Sequence, residues 1–262
     1  MRLGILGHPV GHSLSPAMHE AALRELGIGG GYERLDTPPA RLSERLREVR
    51  RGFRGVNVTV PLKELVVPLL DGLSPAARAI GAVNTVVNEG GRLLGENTDA
   101  AGFLRSLEEA GVGGRRAVVL GAGGAARAVV YALRGAGYEV GIVNRTRARA
   151  EALARAFGAR VVGPADVREA DLVVNATSVG LGDPSATPLP AEFLPSSGFA
   201  VDLVYRPLRT RFLREAEERG LAVVDGLGML LWQGVLAFEL WTGREAPVEA
   251  MRRALASALT EG

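Results

Sequence analysis

The sequence predicts a two-domain α/β protein, and three observations predict it. The chain has 262 residues, a length that suits two domains of ordinary size or one large one. Short apolar runs alternate with helical patterns, the arrangement of a mostly parallel sheet covered by helices on both faces. A second alternation of the same kind begins after the glycine-rich break Gly111-Val112-Gly113-Gly114. The cleanest boundary lies near residue 100. Residues 1–100 and 238–262 are expected in one domain, with the last helices folding back onto it, and residues 101–237 in the other.

The elements follow in order. Arg2 to Leu6 is a short apolar strand ending at Gly7, and Pro16 to Leu26 is a helix stopped by Gly27. Tyr32 to Leu35 reads as a strand, Pro39 to Arg50 as an amphipathic helix, and Gly55 to Val60 as a strand stopped by Pro61. Thr85 to Asn88 and Arg92 to Gly95 flank Glu89-Gly90-Gly91, a hairpin signal. A helix spans about Ala101 to Ala110. Beyond the break come strands Ala117 to Leu120, Glu139 to Val143, Leu172 to Asn175, Phe199 to Leu203 and Ala222 to Val224, with a helix at Ala125 to Leu133. Helices at Met229 to Leu240 and from Pro247 to about Leu259 close the chain.

Composition excludes several classes. Hydrophobic residues make up 47% and charged residues 23%, with mean hydropathy +0.14, enough to build a core and too apolar for disorder. The net charge of +2 gives no electrostatic reason to expect nucleic acid, despite a pI near 9.4. The absence of cysteine excludes disulfides, thiol catalysis and thiolate metal sites. The amino terminus turns at His8-Pro9, too soon for a signal peptide. Met229 to Trp241 is broken by Gln233 and Glu239 and is too short to span a bilayer. A soluble, cytoplasmic chain is expected, a monomer or homodimer whose partners are small molecules. His8, His12 and His19 lack ligand spacing, so no metal is expected.

One count bears on chemistry. Of 31 basic residues, Lys63 is the only lysine, and Gln233 is the only glutamine. Compositional bias accounts for the loss of lysine elsewhere, not for the one that stays. Arginine keeps its proton in a protein whereas lysine can release one. Lys63 is therefore a candidate proton donor and acceptor.

Val118-Val119-Leu120-Gly121-Ala122-Gly123-Gly124-Ala125-Ala126 fits strand, G-x-G-x-x-A and helix. Gly121 permits the tight turn, Gly123 lets backbone approach a pyrophosphate, and Ala126 allows close helix–strand packing. The second domain is thus expected to be of the Rossmann type and to bind a dinucleotide. Its second strand ends at Asn144-Arg145-Thr146-Arg147-Ala148-Arg149, 23 residues past Gly121. An NAD site normally places a carboxylate there for the ribose 2′-OH. Three guanidiniums and a hydroxyl instead suit a 2′-phosphate, which points to NADP(H). A solvated basic helix start is the alternative.

Polar clusters also sit where strands end, and in open α/β sheets ligands bind beyond the carboxyl ends of strands. They are His12-Ser13-Leu14-Ser15-Pro16, Asn57-Val58-Thr59-Val60-Pro61-Leu62-Lys63, Gly81-Ala82-Val83-Asn84-Thr85 and Asn97-Thr98-Asp99-Ala100-Ala101-Gly102. With Gly121 to Ala125, Asn144-Arg145-Thr146, Asn175-Ala176-Thr177-Ser178, Asp202-Leu203-Val204-Tyr205-Arg206-Pro207 and Asp225-Gly226-Leu227-Gly228-Met229-Leu230, they run in order over nearly the whole chain. This set resembles the shikimate dehydrogenase family.

The resemblance implies reversible NADPH-dependent reduction of 3-dehydroshikimate to shikimate, an oxidoreductase step in aromatic amino acid biosynthesis. It implies a substrate domain, an NADP domain and a site in the cleft between them. It assigns Ser13, Ser15, Thr59, Lys63, Asn84, Asp99, Tyr205 and Gln233 to the substrate, with Lys63 and Asp99 also catalytic. It places Gly121, Ala122, Gly123, Gly124, Ala125, Asn144, Arg145, Thr146 and Arg149 on the cofactor, with Leu203, Gly226 and Met229 lining the nicotinamide pocket. One departure is Ser74-Pro75-Ala76-Ala77-Arg78, where some members carry an acidic residue near the cofactor. Several residues also have plain structural readings. Ser15 before Pro16 suits a helix N-cap, and Ser13 points the same way as Ser15 if the chain is extended. Asn57 and Asn84 can close loops, Thr59 is a common strand former, Asp99 suits an N-cap, and Tyr205 suits an interface ring. Gln233 on an apolar helix face needs a partner if buried. Two other functions stay open. A quinate/shikimate dehydrogenase using NAD is disfavoured by Arg145, Thr146 and Arg149, and an idle NADP sensor by the retention of Lys63 and Asp99.

Overall fold

A computed structural model of the chain describes residues 1–260. The chain divides into two units, Met1–Gly102 together with the residues from Leu230 onward, and Phe103–Met229. Residues 230–237, expected with the second domain, therefore group with the first; residues 261–262 lie outside the described residues.

The first unit begins with β1 (Arg2–Gly7), α1 (Ser15–Glu25), β2 (Gly31–Asp36), α2 (Leu42–Gly52) and β3 (Gly55–Val58). All four residues of β3 are buried, as expected for a strand covered on both faces. Pro39–Arg41, expected as the start of the second helix, forms a separate 3-10 turn. Then come β4 (Gly72–Leu73), α3 (Pro75–Ile80), β5 (Thr85–Glu89), β6 (Arg92–Glu96) and the start of α4 (Asp99–Glu109), which belongs to the second unit from Phe103 onward. The sheet order is β2-β1-β3-β5-β6-β4. β1 pairs in parallel with β2 and β3, and β4 in parallel with β6. The β5–β6 hairpin is the antiparallel pair expected, and β3 also pairs antiparallel with β5. The departure Ser74–Arg78 lies at the start of α3. There Ser74 is a helix cap, its hydroxyl accepting from the Ala77 N–H at 3.1 Å with Pro75 in the first turn.

The second unit carries β7 (Arg116–Leu120), α5 (Gly124–Gly135), β8 (Glu139–Val143), α6 (Arg147–Phe157), β9 (Arg160–Val161), β10 (Leu172–Asn175), β11 (Phe199–Asp202), α7 (Arg211–Glu218) and β12 (Ala222–Val224). Its sheet runs β12-β11-β10-β7-β8-β9, with every pairing parallel. Read from β9, this is the Rossmann order, and it reverses direction between β7 and β10. Val118, Leu120, Val173, Ala200, Phe212 and Leu213 form much of one core face.

α8 (Leu227–Thr242) and α9 (Val248–Thr260) complete the chain. Physical ties explain why most of α8 belongs to the first unit. The Trp241 indole N–H donates to the Val86 carbonyl at 3.0 Å, and Arg54 Nε donates to the Trp241 carbonyl at 2.7 Å. The backbone of Gly102 lies so near α8 that a Cβ there would come within 2.5 Å of the Gln233 nitrogen. Among the described residues no helix is long and apolar enough to cross a membrane.

Candidate active site

The site in the first unit follows from strand register. Antiparallel pairing sets Asn57 of β3 opposite Thr85 of β5, and opposed residues share a face. Asn57 Nδ2 accordingly donates to Thr85 Oγ1 at 3.1 Å and to the Asn84 carbonyl at 3.2 Å, while its Oδ1 accepts from the Tyr32 hydroxyl at 2.7 Å. Asn57 therefore ties strands together rather than closing a loop.

Asn84 is the hub of the next layer. Its Nδ2 lies 2.8 Å from Thr98 Oγ1, 3.0 Å from Asp99 Oδ1 and 3.3 Å from Gln233 Oε1. Its Oδ1 accepts from the Thr98 N–H at 2.7 Å. Asp99 opens α4, but the Ala100 N–H donates to Asn97 Oδ1 at 3.3 Å, so Asn97 supplies the cap contact. That frees the Asp99 carboxylate for Lys63, whose Nζ lies 2.6 Å from Oδ2. The two side chains are 14% and 5% exposed. Lys63 reaches this position because its own carbonyl accepts the Val83 N–H at 2.8 Å, one residue from Asn84. A charge pair this sheltered is screened far less than a surface pair.

Ser13 and Ser15 are both buried. The chain between them is not extended, because Leu14 lies in the right-handed helical region at φ −89°, ψ −4°. Ser15 is the first residue of α1 and not its cap, and its N–H donates to Ser13 Oγ at 3.2 Å. Arg34 holds this turn from β2, donating to the Ser13 carbonyl at 2.8 and 3.2 Å. Thr59 sits just past β3, half-buried, its N–H on the Leu6 carbonyl at 2.8 Å. Gln233 is buried and its amide has partners inside the protein, the Leu230 carbonyl at 2.6 Å and Asn84.

In the second unit the loop after β7 has the geometry a dinucleotide needs. Gly121 has φ +119°, and a Cβ there would come within 3.0 Å of the Ala176 carbonyl after β10. Only glycine suits that position. A Cβ on Gly123 would meet nothing within 4 Å, so the backbone there faces open space. Gly123 precedes α5, whose first-turn N–H groups have no partner within the helix. Ala122, Gly124 and Ala125 are half-buried around it, and Ala126 is fully buried against the sheet. These features fit a pyrophosphate. Arg145, Thr146 and Arg149 are exposed where β8 passes into α6, and Asn144 Nδ2 donates to the Thr146 carbonyl at 2.9 Å. Arg147 pairs with Glu151 at 2.8 Å. Leu203, Tyr205, Gly226 and Met229 all lie on the segments that follow β11 and β12.

Comparison with known proteins now bears on this arrangement. Residues 5–86 match the family model for the shikimate dehydrogenase substrate binding domain. Residues 105–180 match that of shikimate / quinate 5-dehydrogenase, and residues 226–256 that of the shikimate 5′-dehydrogenase C-terminal domain. The chain is 61% identical over 260 residues to a shikimate dehydrogenase (NADP(+)) of Thermus thermophilus, covering 97% of this chain and 99% of that protein.

The chain belongs to the shikimate dehydrogenase family.

Two solved structures place it within that family. The shikimate 5-dehydrogenase from another strain of Thermus thermophilus, in complex with NADP(H) and shikimate, superposes with TM-score 0.95 at 60% identity, covering 99% of this chain and all of that one. The quinate dehydrogenase of Corynebacterium glutamicum, in complex with NAD, superposes with TM-score 0.88 at 36% identity, covering 98% and 99%. Some polar residues of the site escaped the sequence reading as functional in their own right. Thr85 and Thr98, members of the quoted clusters, and Tyr32, read only as part of a strand, hold Asn84 and Asn57.

Proposed function

We propose that this chain catalyses the reversible NADPH-dependent reduction of 3-dehydroshikimate to shikimate, with Lys63 as general acid and base and Asp99 as its partner. The observation that carries the reading is the 2.6 Å contact between the sole lysine and a nearly buried carboxylate. Ketone reduction needs a hydride and a proton. Bound NADPH supplies the hydride. Lys63 Nζ donates the proton to the carbonyl oxygen as it becomes a hydroxyl, and in the oxidative direction takes it back. Asp99 aims the Lys63 side chain through its 2.6 Å contact with Nζ. Asn84 fixes Asp99 through Oδ1, leaving Oδ2 for the lysine.

Family roles add the remaining contacts. Ser13 and Ser15 present hydroxyls to the substrate carboxylate, and Thr59, Asn84, Tyr205 and Gln233 hold its hydroxyls. Gly121 to Ala125 receive the pyrophosphate, and Arg145, Thr146 and Arg149 the 2′-phosphate. Leu203, Gly226 and Met229 border the nicotinamide.

The test is Lys63→Ala beside Lys63→Arg. General acid–base groups contribute about 10²–10⁴-fold, so both variants should lose kcat on that scale while the KM for shikimate changes little. Arginine keeps the charge without a usable proton. Near-full kcat in Lys63→Arg removes the acid–base role and leaves Lys63 as an electrostatic clamp.

A further inference from the structure

One buried carboxylate in the second unit has no place in the mechanism above. Asp202 ends β11 and is fully buried. Its Oδ1 accepts from the Val204 N–H and from Asn175 Nδ2, both at 2.9 Å. Its Oδ2 accepts from the Thr210 hydroxyl at 2.6 Å. Thr210 is also the N-cap of α7, its Oγ1 accepting from the Leu213 N–H at 3.3 Å. Asp202 thus grips both ends of the loop from Leu203 to Thr210. Through Asn175 it reaches a second loop, because Asn175 Oδ1 accepts from the Thr177 N–H at 3.1 Å and hydroxyl at 2.7 Å.

Each loop abuts a proposed cofactor element. A Cβ on Gly226 would lie 2.5 Å from the Leu203 carbonyl, so the first loop sets the place of the Gly226 backbone. The Ala176–Thr177 loop lies against Gly121, the turn before the pyrophosphate cradle. Burying a carboxylate costs several kcal/mol unless it is well bonded. Here burial outweighs the three donors and pushes the Asp202 carboxyl up to about 6. A stable core alone would be served as well by an apolar residue.

We propose that Asp202 is a positioning residue for the reaction, fixing the Leu203–Thr210 loop and, through Asn175, the loop against Gly121, so that the nicotinamide end of the cofactor is held in reacting geometry. The proposal deepens the functional reading above and rests on it. Small misplacements of a reacting group lower turnover steeply. Losing a hydrogen bond to a charged group costs on the order of tenfold or more.

The experiment compares Asp202→Asn, Thr210→Val and Thr210→Ser with the unaltered protein. Four quantities are measured: melting temperature, kcat, KM for NADPH, and affinity for adenosine 2′,5′-bisphosphate, which carries the 2′-phosphate but no nicotinamide. Asp202→Asn and Thr210→Val should lose kcat by about tenfold or more. Adenosine 2′,5′-bisphosphate should bind within about twofold of the unaltered protein, and Thr210→Ser should restore most of the rate. Folded variants with lowered melting temperature and unchanged kcat overturn the proposal and make the network purely structural. Should Asp202→Asn fail to fold, the Thr210 pair decides alone. An unaltered protein that neither turns over shikimate nor binds the bisphosphate contradicts the functional reading instead.

Discussion

Asp99 and His19 show two ways in which a single buried group is handled. Asp99 is bonded at both carboxylate oxygens, one to Lys63 and the other to Asn84. His19 has no such partners: both ring nitrogens are buried without a hydrogen bond, and the ring stacks on Tyr32 at 4.6 Å. Burial pushes its pKa down to about 3. The folded value therefore lies below the unfolded one near 6.5. The neutral ring contributes its full stability above about pH 6.5 and loses it as pH falls toward 3. His19→Phe should flatten the fall of unfolding free energy over that window, measured by denaturant titration at several pH values. An unchanged acid slope would place the acid sensitivity elsewhere. Gln233 supplies a second test at this scale. Gln233→Ala should raise the KM for shikimate by about tenfold, on the scale of 1.4 kcal/mol, and leave NADP affinity unchanged. Unchanged shikimate affinity would reduce Gln233 to its contacts with Leu230 and Asn84.

At the scale of elements, the turn from β8 into α6 is the proposed seat of the cofactor choice. Arg145 and Arg149 are exposed there, and Asn144 stands where an NAD site normally has a carboxylate. The double variant Arg145→Ala with Arg149→Ala should weaken NADP by about 1.5–3 kcal/mol for each bond lost and NAD hardly at all. Isothermal titration with both cofactors reads this directly, and equal weakening would move the two arginines to a part the cofactors share. Most long, periodic elements were legible in the sequence, as were the glycine turn and the hairpin, but α6 was not, because its face is mostly alanine and arginine and carries little apolar stripe. Short helices were not. α3 has six residues and α7 eight, too few for an apolar stripe to repeat clearly. The geometry of Ser13 and Ser15 also escaped, because Leu14 already turns into α1, its carbonyl accepting from the Ala17 N–H at 3.1 Å, where an extended chain was expected.

Across the whole chain, residue identity was easier to read than connection. Lys63 stood out as the only lysine, and Asp99 by its cluster. Their 2.6 Å contact joins residues 36 apart in sequence, and Asp202 meets Asn175 across 27. No local pattern records such pairings, because sheet order creates them. The same holds for α8, whose anchor to the first unit runs from Trp241 to Val86 across 155 residues. The central claim, that this family member reduces 3-dehydroshikimate with NADPH, meets its most direct test in steady-state kinetics with shikimate or quinate, each with NADP or NAD. If Arg145 and Arg149 each bond the 2′-phosphate as proposed, two charge-assisted bonds set the scale of cofactor preference. Shikimate with NADP should give the highest kcat/KM, by about 100-fold or more over shikimate with NAD. Equal rates with NAD, or turnover of quinate alone, would contradict the account.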